Sequence, residues 1–553
     1  MKKPIFTNIF LIFSAVLILI GLIGLNSLNQ SFSEARQITF ADYSGSQLLG
    51  TYIPGSDPVG VIFLEGFGSD QVALRPAART FLKSGAHVFT FDFSGHGRSP
   101  GALGFDNAAT DRLAKQIIAA KDTFKTLSGL DDQQIVYFGH SLGARAALQA
   151  AVVDTAPPAA LILLGTQVNL GTNVQAEFFT GTSDAELDWV QSLSAQVPKS
   201  HILLLSGEWD DVLTPDAARA LYDQLRAGGE SASSRQLNIF PNMLHNYEIY
   251  STRILREAEE YLDGLGLFST QTKVSLSGYF LFGSSTLLGL VLLLMIAPSW
   301  LKGPFPILTA NSSPTKIIAL SKFLWGKLLL WLGALIVGGL LTGIFFLLPF
   351  DLPVMNMIYV GFIGGYGLLF LILYLWNKVP GTDGALRLRE TLNRETFFFL
   401  NRNFWLGLLS WTFILIVLIV FTRSGLFYTI APNQRMLWLA IFTPFTAIGF
   451  WVSERENIML KSYQDENSHP KAWPSLLLTL ISLTPFFLYT AFLGILGSIS
   501  GMVGGLQGLI ILGIVILTGR VIAHFIRQPW IVALLQSILL YALILPQGVL
   551  FAF

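Results

Sequence analysis

About nine stretches of this sequence run for some twenty residues with almost no charge, the length at which a helix crosses ~30 Å of hydrocarbon. The first is Ile5 to Leu25, behind Lys2 and Lys3. The others follow Leu276: Tyr279 to Ala297, Leu324 to Leu348, Val354 to Trp376, Phe404 to Phe421, Met436 to Val452, Ser475 to Gly497, Met502 to Thr518 and Trp530 to Phe551. Such runs must face lipid or each other. Charged residues, at 13%, fall well under the ~25% of soluble chains, which fits the same reading.

The first run exceeds the ~7 to 15 apolar residues of a cleaved signal peptide, so an uncleaved anchor is favoured, with a cut near Ser31-Phe32-Ser33 as the rival. Positive charge then assigns sides. Lys302, Lys316, Lys322, Lys327, Lys378, Arg387, Arg389, Arg394, Arg402, Arg455, Lys461, Lys471, Arg520 and Arg527 all fall in one alternating set of connections. The other set, 349–353, 422–435 and 498–501, carries only Arg423 and Arg435. Basic residues are retained inside. The expectation is a multi-pass cell-membrane protein with a cytoplasmic N-terminus and the segment after the first span on the extracytoplasmic face. Apart from Lys327 the spans hold essentially no ionisable side chain, which argues against an ion-coupled transporter. Asn356, Gln507 and Gln536 are expected to form interhelical hydrogen bonds, and Gly361/Gly365 and Gly501/Gly505 to pack helices closely. Lys+Arg and Asp+Glu both number 35, with no basic tract, so nucleic acid is not an expected partner. The absence of cysteine excludes disulfides and thiolate chemistry.

Three parts follow: an N-terminal anchor at 1–30, a globular region at 37–264, and an all-α polytopic domain of about eight helices at 276–553. In the globular region, strand-like runs alternate with amphipathic stretches, the signature of a largely parallel sheet covered on both faces. Ile38–Ala41 and Leu48–Ile53 suggest a hairpin; Val59–Leu64, His87–Phe91, Ile135–Phe138, Ala160–Leu164, Ile202–Leu205 and Gln236–Phe240 have buried-strand length. Helices are expected around 73–84, 106–126, 141–153, 215–227 and 246–262. Residues 166–200, with Phe178, Phe179, Leu187, Trp189 and Val190, are expected to form a small cap or a surface helix.

Ile135 to Phe138 runs into Gly139-His140-Ser141-Leu142-Gly143 and then into a helix-like stretch. This is the pattern of a nucleophile elbow, a sharp strand-to-helix turn that lifts a serine above the sheet. A serine hydroxyl needs a base to take its proton and a carboxylate to orient that base. Asp210, following the strand that ends near Leu205, is the favoured acid. Asp211 is the alternative and could cap the helix near Pro215, for which Thr214 is the stronger candidate. Of seven histidines, His87 and His201 begin strands, His469 and His524 fall in loops on the opposite side, and His140 sits beside the serine itself. His96 lies in a turn. His245, in the loop after the last strand, completes the order Ser141, Asp210, His245. Backbone N–H groups of Leu142 and of Phe67, in Leu64-Glu65-Gly66-Phe67-Gly68, are the expected oxyanion donors.

Asp92-Phe93-Ser94-Gly95-His96-Gly97-Arg98-Ser99-Pro100-Gly101 together with the Ser141 pentapeptide resembles the monoacylglycerol lipase, lysophospholipase and serine aminopeptidase-like branch of the α/β-hydrolases, over about residues 37–264. The resemblance implies an α/β-hydrolase sheet with flanking helices, makes His96 part of the scaffold, and marks one departure: Glu65 stands where relatives usually carry a His-Gly pair. It also implies a serine esterase or lipase-like hydrolase with no metal and no cofactor, and tethering by spans on both sides favours a lipid or lysolipid ester beside the bilayer as substrate. Amide cleavage on the same machinery, or a binding or regulatory module on a membrane scaffold, are the alternatives.

Overall fold

A computed structural model of the chain describes residues 5–104, 109–166, 199–227, 234–268, 274–301, 320–376, 402–430, 434–462, 473–526 and 528–552. The cap expected at 166–200 lies almost wholly outside these residues, as do Lys302, Lys316, Lys378, Arg387, Arg389, Arg394, Lys471 and Arg527.

The globular region is built on eight strands: β1 (Arg36–Ala41), β2 (Gln47–Ile53), β3 (Gly60–Leu64), β4 (His87–Asp92), β5 (Ile135–His140), β6 (Ala160–Leu164), β7 (His201–Gly207) and β8 (Arg235–Phe240). Their order is β1-β2-β4-β3-β5-β6-β7-β8. The opening hairpin β1–β2 is antiparallel, β2 pairs antiparallel with β4, and every later pairing is parallel. Successive strand residues point to opposite faces, so both faces must be covered. Ile62, Leu64, Phe89, Tyr137 and Leu161 pack on one side against α3 (Ala109–Ser128), α4 (Leu142–Val153) and α5 (Pro215–Ala227). Val61, Phe63, Val88, Phe138 and Ile162 pack on the other against α2 (Arg75–Lys83) and α6 (Thr252–Gly264). The helix expected at 246–262 is instead a 3-10 turn, His245–Tyr250, followed by α6, which Ser251 caps by accepting from the Ile254 N–H.

Helix α1 (Ile5–Asn29) lies along α7 (Ser277–Trp300): a Cβ on Gly21 would fall 2.1 Å from Thr286 Oγ1, so only glycine permits this approach. The remaining apolar helices are α8 (Leu320–Phe345), α9 (Gly365–Leu375), α10 (Arg402–Thr422), α11 (Gln434–Ser462), α12 (Trp473–Ile495), α13 (Ile499–Ile522) and α14 (Pro529–Ile544). Among the described residues eight helical segments are long and apolar enough to cross a membrane, consistent with a multi-pass protein; the described apolar part of α12, Thr479–Ile495, is shorter. The segment leading into α9 contains a π-helical turn, Val360–Gly364, and Gly361 and Gly365 abut Gly338 of α8, as small-residue spacing predicts. Asn356 donates to the Ile544 carbonyl at 2.8 Å and Gln536 to Val515 at 3.4 Å.

Two expectations about the spans need correction. The last does not run to Phe551: Pro546 and Gly548 follow α14, and the terminal residues turn back to bridge Leu103 of the globular region and Leu352 of the bundle. Nor is Lys327 alone within the spans. Helix α11 continues to Ser462, and Glu456, read from sequence as part of a polar connection, is buried against Lys327.

Candidate active site

The chain turns from β5 into α4 at Ser141, whose φ of 55° and ψ of −118° fall outside ordinary helix or strand space. The strain is held by the Ser141 N–H bond to the Leu164 carbonyl at 2.9 Å and by two glycines that admit close packing. A Cβ on Gly139 would lie 2.6 Å from Ala144 Cα, and one on Gly143 would lie 2.5 Å from the carbonyl oxygens of Leu64 and Glu65. Those contacts press α4 against both its own strand and the loop after β3.

The structure brings together three of the side chains singled out in the sequence. Ser141 Oγ lies 2.9 Å from His245 Nε2, and His245 Nδ1 lies 2.8 Å from Asp210 Oδ2. Asp210 Oδ2 accepts the Nδ1 proton, which leaves Nε2 to accept from the serine. The other Asp210 oxygen accepts from the Val212 and Leu213 N–H groups at 2.9 and 2.7 Å, so the carboxylate is fixed before the imidazole reaches it. Asp211 points elsewhere. Its carboxylate accepts from the Ser500 N–H and hydroxyl at the start of α13, so it caps a helix of the bundle, while Thr214 caps α5 through the Ala217 N–H.

Leu142 opens α4, where N–H groups have no intrahelical acceptor. Phe67 follows Gly66, whose added Cβ would lie 3.2 Å from Ser141 Cβ, so the loop after β3 runs directly over the serine. Glu65 turns away from it: Oε1 accepts from the Phe93 N–H at 2.8 Å. Complete burial, reinforced by the charge of Asp92, pushes this carboxyl well above its ordinary value. The departure noted in the sequence therefore directs its carboxyl to the Phe93 backbone and away from the serine.

Two neighbours were not anticipated from sequence. His140 cannot serve as base, because burial and the adjacent His245 lower it to about 3, yet its Nε2–H donates to the His245 carbonyl at 3.0 Å and anchors that loop. Glu248 is buried behind the imidazole, accepting from the Gly207 N–H at 2.7 Å. Burial, then the charge of Asp210, raises it well above the usual carboxylate range. The clue was local: Glu248 is three residues past His245, one turn of the 3-10 segment. His140, His245 and Glu248 have a metal-binding spacing, but His245 already spends both ring nitrogens on Ser141 and Asp210, so this donor set does not fit a resident ion.

The site faces the helical bundle. Phe67 packs on Phe551 with ring centroids 5.7 Å apart, and a Cβ on Gly68 would lie 3.4 Å from the Gln547 carbonyl. Around this seam the Tyr428 N–H donates to Asp70, Arg75 to the Arg423 carbonyl, and Tyr250 to the Gly425 carbonyl. Arg435, 1% exposed, donates to the carbonyls of Gly95 at 2.6 Å and Gly548 at 2.9 Å. His96 packs edge-on against Phe67 and Phe93, and burial lowers it to about 4, as befits scaffold.

Residues 58–201 match the family described as Hydrolase_4, serine aminopeptidase S33. An uncharacterized protein of Mycobacterium tuberculosis, present in two strains, is 27% identical over 247 residues, which cover 43% of this chain and 80% of that protein. Among solved structures, the esterase Pf2001 of Pyrococcus furiosus is 17% identical, covering 43% of this chain and 95% of its own with a TM-score of 0.34. The α/β-hydrolase GrgF of Penicillium sp. is 16% identical, covering 42% and 98% with a TM-score of 0.34. Taken with the sheet order and the strained turn at Ser141, the family match supports an α/β-hydrolase domain of the serine-hydrolase type, followed here by apolar helices long enough to cross a membrane.

Proposed function

We propose that this protein is a membrane-embedded serine hydrolase that cleaves a carboxylic ester of the lipid or lysolipid class through an acyl-enzyme on Ser141. The observation that carries the reading is the continuous chain from Ser141 Oγ through both nitrogens of His245 to Asp210, at 2.9 and 2.8 Å. As Oγ attacks the ester carbonyl, His245 takes its proton and Asp210 stabilises the imidazolium. The carbonyl oxygen becomes an anion, received by the N–H groups of Leu142 and Phe67. His245 returns the proton to the departing alcohol. Water then attacks the acyl-serine by the same route and releases the acid.

The substrate class follows from position. Phe67 meets the end of the bundle and Asp211, next to the acid, caps α13, so a bilayer amphiphile reaches the serine without leaving the membrane surface. The sidedness proposed is extracytoplasmic: the seam is formed by the connections around Leu352, Gly425, Tyr428 and Ser500, the set poor in lysine and arginine. The family description favours a second reading, cleavage of an N-terminal peptide bond. The test is fatty-acid release from lysophospholipid and monoacylglycerol by the full chain in nanodiscs, alongside aminoacyl amides. The ester reading predicts acid release that Ser141→Ala lowers by at least about a thousandfold; turnover of amides alone, or of nothing, contradicts it.

A further inference from the structure

At the end of the bundle away from the seam, a cleft enters between α8, α9, α11, α12, α13 and α14, with about 40 Å³ of space for water. That is room for about three water molecules, or for the few heavy atoms of a small polar head in their place. Its polar wall holds Lys327, Tyr366, Glu454, Thr479, Ser482 and Gln536, and its apolar wall Ile363, Phe486 and Leu512. A cleft so divided suits an amphiphile.

The hydrogen bonds define what head it would accept. Lys327, 2% exposed, donates to Glu456 and, at 3.2 Å, to Tyr366, whose hydroxyl in turn donates to Glu456 at 2.5 Å. The two charges answer each other and Tyr366 is fully engaged. Glu454, on the same wall, lies in the field of Arg520, so an additional ion here would have no counter-charge from either pair, and unpaired charge at membrane depth is expensive. Two buried atoms remain without a hydrogen-bond partner among the described residues. Trp331 Nε1, on a ring stacked over Tyr366 at 4.5 Å, is a donor; Gln536 Oε1 is an acceptor. Both residues line the cleft. A hydroxyl satisfies both kinds, since it donates and accepts.

The backbone is adapted to the same place. A Cβ on Gly519 would lie 2.0 Å from Gln536 Nε2, so glycine makes the space that Gln536 fills. Ile363 belongs to the π-helical turn, a departure from regular helix that often accompanies functional sites. We propose that this cleft is a second binding site, distinct from the hydrolase site, for a lipid with a neutral hydroxylated head, its hydroxyls meeting Trp331 and Gln536 and its chain leaving along Ile363 and Leu512.

The site does not depend on the hydrolytic reading, and its test uses a ligand that no esterase can cleave. The probe is a monoalkylglycerol ether with a dibrominated chain, titrated into the full-length protein, bromine quenching indole emission on contact. Saturable quenching is expected. Trp331→Phe should remove that component, and Gln536→Leu should weaken the apparent affinity about tenfold, the loss of one buried hydrogen bond. A dibrominated fatty acid, charged at the head, should bind far less tightly. Unchanged helicity and elution volume certify each variant as folded. Should either variant misfold, the ether-versus-acid comparison on the unsubstituted protein still decides. Quenching indifferent to Trp331, equal for the two probes, or never saturating overturns the proposal and leaves a hydrated packing defect.

Discussion

Each end of the bundle buries a cation, and the two are used differently. At the seam Arg435 gives its protons to backbone carbonyls of both halves, Gly95 and Gly548, with Asp92, Asp70 and Glu65 nearby as its field. At the far end Lys327 is answered directly by Glu456. The first is a tie between two domains, the second a self-contained pair whose neutrality leaves a cleft selective for uncharged heads. Burial of a charge therefore says little until its partners are named.

The comparison breaks if the seam tolerates loss of its cation. Arg435→Met removes hydrogen bonds to the carbonyls of Gly95, Leu545 and Gly548 and takes positive charge from beside Asp92, which should cost about 3–5 kcal/mol, read as a lowered midpoint of thermal unfolding and as faster proteolysis between the halves. At the far end, Lys327→Met combined with Glu456→Leu removes both charges together and should change stability by less than about 1 kcal/mol in either direction. A large loss there and none at Arg435 would invert the account.

The seam should also respond to pH. Asp70, which accepts from the Tyr428 N–H, is pushed up to about 7 by burial and then by Asp92. Its folded form keeps a proton that the unfolded carboxyl has already lost between about pH 4 and 7, so stability falls as pH rises through that window. Asp70→Asn should flatten the slope in thermal melts across it; an identical slope rules this carboxyl out as the cause. The smallest effect is at the catalytic wall. Burial raises the Glu248 carboxyl well above the usual range, and Glu248→Gln keeps the acceptor for Gly207, so it should alter ester turnover by less than about threefold. A loss of a hundredfold or more would mean that its negative charge takes part.

The strands were legible because buried parallel strands are short apolar runs, and all eight begin and end within two residues of their expected bounds. Ser141, Asp210 and His245 were legible because each follows a strand at its carboxyl end, a place that chain order alone identifies. What stayed hidden involves partners far apart in sequence. Arg435 is 340 residues from Gly95, and nothing near either position announces the contact. Glu456 sits in Ser453-Glu454-Arg455-Glu456, whose polarity reads as a helix end although α11 continues six residues further. His140 was judged by its distance from the serine hydroxyl, when its partner is the backbone of His245.

The most direct test is to treat the full-length protein with a fluorophosphonate and locate the adduct by peptide mass spectrometry. The account predicts one modified site, Ser141, with labelling abolished by Ser141→Ala and strongly slowed by His245→Ala or Asp210→Asn. Label that persists in Ser141→Ala, or an unsubstituted folded protein that never reacts, would contradict it.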